Sequence, residues 1–161
     1  MAYRVAGGPA TPVVIVGTMD IPAGVQSSSG VPTTASSVVL TRSDFKTAGV
    51  VIEAGTAFSV PPVDMREWFG GQLLVPIGWD AANIGFYVGE DANGSFVPLL
   101  DDTGVPVQIS GVVVGTASVY QLPYAIFGSF FIKLWSKSTV LATKTNVNQA
   151  DNVILQFYLK S

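Results

Sequence analysis

The chain has 161 residues with eleven acidic and eight basic side chains, a net charge of −3, and neither cysteine nor histidine. That length suits one domain, which buries about 70% of its unfolded surface and needs no covalent staple. Without His or Cys, the chain excludes disulfides, thiolate or imidazole zinc sites, and Ser-His-Asp or Cys-His nucleophiles.

Charged residues make up 12% of the chain and hydrophobic ones 48%, whereas about 25% charged is usual. The mean hydropathy is +0.47. No basic stripe is present to neutralise phosphates, so a nucleic-acid partner is not expected. A membrane span is not expected either: Phe130–Trp135 is interrupted by Lys133, and Gly and Pro punctuate the other apolar runs. Met1–Pro12 carries Gly-Gly-Pro where the apolar run of a signal peptide would begin. High apolarity without a membrane segment implies a surface covered by other protein.

Residues 1–37 are rich in Gly, Pro and small polar residues around one apolar island, Val13–Val16. Two readings stand: a loose terminus, or an extended arm that adds a strand to a neighbouring subunit. From residue 38 the punctuation becomes regular. Val38–Leu40, Val50–Ile52 and Ala57–Val60 read as strands. Asp64–Glu67 has capping-box spacing, so either a short helix or a strand end is expected there. Ile84, Phe86 and Val88 alternate with Gly85, Tyr87 and Gly89, and Asn93–Gly94 predicts a tight type I′ hairpin turn before Phe96–Leu100. Asp101–Gly104 predicts a second turn, followed by alternation through Val105, Val107 and Ile109. Strands are further expected at Val112–Val114, Ser118–Leu122 and Phe130–Trp135. A last strand over 153–160 places Val153, Leu155, Phe157 and Leu159 on one face, and Ile154, Gln156, Tyr158 and Lys160 on the other. Many short strands without a sustained helical period define an all-β antiparallel sandwich or barrel. The expected organisation is an extended arm over 1–37 and one sandwich domain over 38–161.

The chemical motifs are weak. Ser43–Asp44–Phe45–Lys46 has Ser-x-x-Lys spacing but lacks the companion motifs of acyl-transfer enzymes. Asp91, Asn93, Ser95 and Asp102 imitate a calcium loop, yet Phe96 stands where the bend requires Gly, and acidic hairpin turns are the simpler reading. Glu53, Glu67 and Glu90 have no spacing that pairs them as glycosidase carboxylates. Trp79, Tyr87, Tyr120, Tyr124 and Trp135 are candidates for a sugar-stacking platform, although a sandwich buries such rings routinely. No phosphate loop or dinucleotide fingerprint is present. No catalytic, cofactor-binding or metal residue is expected, and the partner-binding residues are not assigned.

An ordered set of short patterns remains. It comprises Val63–Asp64–Met65, the apolar run 71–79 ending in Trp79, Asp80–Ala81–Ala82–Asn83, Asn93–Gly94, Phe96–Val97–Pro98–Leu99 and Asp101–Gly104. Late in the chain come Leu122–Pro123, Phe131–Ser136, Asn148–Gln149–Ala150 and Val153–Leu159. The set resembles a family of small virion structural proteins of tailed phages. Two departures stand out: Trp135–Ser136–Lys137–Ser138 replaces the family's usual Arg-Ser-Gly, and the N-terminal third has no counterpart. The resemblance implies a jelly-roll-like β-sandwich located in the virion and without enzymatic activity. The implied role is a capsid decoration, cement or head-fibre-base protein, with the major capsid protein or other virion subunits as partners. A homo-oligomer is expected, with a trimer as one candidate. Glu90–Phe96 also resembles, in part, the hairpin of discoidin-type sugar-binding sandwiches. The alternatives are therefore a carbohydrate-binding module with a glycan partner, or a tail or neck component.

Overall fold

The computed structural model describes residues 45–161; the expected arm, the strand at Val38–Leu40 and Ser43 lie outside the described residues. Among the described residues, ten strands form: β1 (Phe45–Ile52), β2 (Ser59–Val60), β3 (Val63–Asp64), β4 (Gly70–Val75), β5 (Asn83–Gly89), β6 (Val97–Pro98), β7 (Gln108–Ile109), β8 (Ser118–Gln121), β9 (Phe131–Lys137) and β10 (Val153–Lys160). A single turn of 3-10 helix covers Tyr124–Gly128.

The strands build two five-stranded antiparallel sheets. In the first the order is β2-β1-β10-β4-β8; in the second it is β3-β9-β5, with β6 and β7 both pairing to β5. From β3 onward, most connections carry the chain from one sheet to the other. The first and last described strands are neighbours, paired from Ile52 opposite Val153 to Phe45 opposite Lys160. This interleaving is the jelly-roll arrangement, and the fold is an all-β sandwich.

The core follows from side-chain alternation. Val153, Leu155, Phe157 and Leu159 of β10 point inward, as the period of two predicts. They meet Val50 and Ile52 of β1, Leu73 and Val75 of β4, Ile84 and Phe86 of β5, and Ile132 and Leu134 of β9. Gly71 is required beside β10, because a Cβ there would lie 2.5 Å from the Tyr158 carbonyl oxygen. Among the described residues, no helix is long and apolar enough to cross a membrane.

Two local expectations are corrected, and at a third site one of the two expected readings is selected. Asn93–Gly94 does not make a two-residue hairpin turn; β5 and β6 pair Val88 with Val97, leaving a longer connection over 90–96. There the Asp91 carboxylate accepts the Asn93 N–H at 2.9 Å, and Gly94 closes on the Asp91 carbonyl without adopting positive φ. Such self-bonding by Asp offers the backbone an alternative to the primed turn. Val112–Val114 is not a strand: Gly111 and Gly115 adopt positive φ on either side, and the Val113 N–H donates to the Tyr120 hydroxyl at 2.8 Å. Asp64–Glu67 forms no helix. Val63–Asp64 ends a strand paired to β9, and the Met65 side chain turns into the core.

At that strand end Asp64 accepts from the Arg66 backbone N–H and from its guanidinium, with Nε at 2.9 Å. The guanidinium bond holds the Asp64 carboxyl down at about 2, below its ordinary 3.8. Because the folded value is depressed, the pair's contribution to stability is present above 3.8 and is lost as pH falls through about 2. Both side chains are well exposed, so that contribution is small. A carboxyl-carbon NMR titration should place Asp64 near 2, and Arg66→Ala should return it towards 3.8.

Candidate functional site

The ordered sequence patterns meet as packing elements. Gln149 is buried between the two sheets' connections. Its amide donates to the Ser136 hydroxyl at 2.8 Å and accepts the Asp80 N–H at 3.0 Å. Asp80 reciprocates by accepting the Ala150 N–H at 2.7 Å. Trp79 lies in the core, donating its indole N–H to the Ala82 carbonyl at 2.9 Å. The Trp-Asp-Ala-Ala and Asn-Gln-Ala pieces thus clasp the β4–β5 connection to the β9–β10 connection.

On the outer face of the second sheet, Trp135 is fully buried beneath Phe58 and Tyr87, with ring centroids 6.4 Å and 5.1 Å away. Gly85 provides the floor, since a Cβ there would come within 2.7 Å of the indole. Lys137 closes the adjoining end. Its ammonium donates to the Gln108 side-chain oxygen at 2.7 Å and to the Ser138, Val140 and Leu141 carbonyls at 2.9, 3.1 and 3.3 Å. Burial pushes its pKa down. These contacts hold the loop after β9 against the sheet, so this aromatic cluster is structural rather than an open platform.

An open groove lies on the outer face of the first sheet. Antiparallel register sets Tyr158 opposite Gln72, and Gln72 opposite Gln121, making one row across β10, β4 and β8. Above the row stand Phe69, 73% exposed, and Tyr124, 87% exposed. Ile126 is buried and anchors the short 3-10 turn, which leaves Tyr124 facing outward. Phe69 is fixed by its N–H bond to the Lys160 carbonyl at 3.0 Å. With Phe45, Gly70, Gly71 and Lys160 these residues line a groove of about 460 Å³, a size in the range of small-molecule sites. Lys160 is the one cationic side chain in the lining, and no Asp or Glu contributes. The Gln121 amide donates to the Gly71 carbonyl at 2.8 Å, which orients its oxygen away from the backbone.

Of the five aromatics singled out from sequence, Tyr124 alone lines this groove; Tyr120 is half-buried and Trp79, Tyr87 and Trp135 belong elsewhere. Phe69, Gln72, Gln121 and Tyr158 escaped notice as site residues. Tyr158 had a signal, the outward phase of β10, whereas the others come together only through sheet order. The remaining motifs stay apart. Lys46 sits on exposed strand β1 rather than on a helix, and Asp91 and Asp101 each bond their own turns. Among the described residues, no three His, Cys, Asp or Glu side chains gather to hold a metal ion.

The fold places the chain among antiparallel jelly-roll sandwiches. No protein-family model, curated protein or solved structure matches the chain in sequence or fold comparison.

Proposed function

We propose that the chain is a non-catalytic structural subunit of a tailed-phage particle, attached to the major capsid protein or another virion subunit as a decoration, cement or head-fibre-base protein. The observation that carries this reading is an exposed apolar patch on the outer face of the first sheet. Val60, Val51 and Ile154 lie side by side on β2, β1 and β10, and Leu74 and Val119 pair in the next outward row, opposite Gln156 of β10. Ile154 is 67% exposed, Val119 52% and Val60 39%. An exposed apolar patch on a sheet face with few charges is costly in water and is suited to burial against another protein. The low charge content and the ordered resemblance point the same way.

Mass spectrometry and immunogold labelling of purified particles from the gene's source test the proposal. The protein should be present at many copies, with label over the head. Absence from the particles would overturn the reading, and label confined to the tail would move the protein to a tail or neck role.

A further inference from the structure

We infer that the groove between Phe69 and Tyr124 binds an uncharged saccharide. This goes beyond a structural role and does not depend on it. A pyranose presents two chemistries at once: C–H faces that pack on aromatic rings, and vicinal hydroxyls that both donate and accept hydrogen bonds. The groove offers both. Phe69 and Tyr124 are the two most exposed large hydrophobic side chains among the described residues, and both stand over one site. An isolated exposed ring is ordinary, but two rings flanking a common cleft form a stacking pair.

Beneath them, Gln72 and Gln121 are directly opposed on neighbouring strands and both are exposed. A primary amide carries two donors and an acceptor, which matches a pair of adjacent hydroxyls without needing charge; Gln121 spends one donor on the Gly71 carbonyl and keeps the other donor and its oxygen. The Tyr158 hydroxyl continues the row, and with strands about 4.8 Å apart the three side chains span about 10 Å, a width that suits a short oligosaccharide. No Asp or Glu side chain lines the cleft to attract a cation, and the single cation Lys160 lies at one end rather than in an anion-binding cluster. A phosphate or nucleotide is therefore a poor fit. Gly70 keeps the floor low, and no heavy atom lies within 4 Å of the position its Cβ would take.

The test uses the full chain on a glycan array containing neutral and acidic oligosaccharides, followed by titration calorimetry with each oligosaccharide that gives signal. Binding to neutral glycans is expected, weakened about tenfold or more by Phe69→Ala or Tyr124→Ala and by the Gln72→Ala/Gln121→Ala double variant. Ile77→Ser, at an exposed apolar residue outside the groove, should leave affinity unchanged. Thermal melts should superimpose for Phe69→Ala and Tyr124→Ala, because both side chains already face solvent. No signal on the array, or binding indifferent to these substitutions, overturns the inference. So does groove-dependent binding of a peptide spanning residues 5–16 without any glycan signal, which would assign the cleft to peptide instead.

Discussion

Phe157→Ala is expected to remove about 3–5 kcal/mol of stability, the range for truncating a large aromatic in a close-packed interior. The residue is fully buried on β10, the strand flanked by β1 and β4, and its ring packs among residues of both sheets. Loss of the ring leaves a cavity that neither neighbouring strand can close, because each is held in register over several residues. Domains of this size have about 5–15 kcal/mol in total, so the variant should sit near the limit of folding. Urea titration followed by tryptophan fluorescence measures the shift. A midpoint within error of the wild type would mean that β10 is not the centre of the sheet.

A second large effect is expected at Gln149. Alanine there strands the Asp80 N–H and the Ser136 hydroxyl in a buried site. Each orphaned group costs about 1–3 kcal/mol, so the substitution should cost about 3 kcal/mol. Hydrogen exchange should localise the damage, with faster exchange at Asp80 and Ala150 while the Phe157 amide stays protected. Gln149→Glu separates size from hydrogen bonding. It fills the same volume but substitutes an acceptor for the donor to Ser136 and introduces a buried charge, so it should be at least as damaging as alanine.

Much of the architecture was legible from the sequence because a strand's period of two is written locally. The inward and outward sets of β10 appear at their expected positions, as do the alternating strand β5 and the Asp101–Gly104 turn. In that turn one carboxylate oxygen accepts the N–H groups of Thr103 and Val105, and Gly104 supplies the positive φ. Errors arose where two local signals competed. Asn93–Gly94 favours a primed turn, but the Asp91 side chain nearby captures the backbone first. At Val112–Val114 the β-branched residues favour a strand, yet positive-φ glycines on both sides break the pairing.

The groove was illegible for a different reason. Its walls come from residues 45, 69–72, 121, 124, 158, 160 and 161, which become neighbours only through the sheet order β1-β10-β4-β8. No local pattern encodes that order. The surroundings of Trp79 and Trp135 were equally hidden: both rings are buried, one inside the sandwich and the other outside a sheet beneath a loop. Composition cannot distinguish those two environments.

The position of β10 also has a consequence for biosynthesis. As a ribosome makes this domain, every other described strand emerges first, and the first sheet waits with a vacancy between β1 and β4. Until β10 emerges, the inner faces of β1 and β4 have no central partner, and two open edges invite pairing with another nascent chain. Closure relies on contacts between the most distant parts of the described sequence, which makes it slow. Shielding of the two waiting strand edges until β10 docks would therefore protect the growing domain from mispairing.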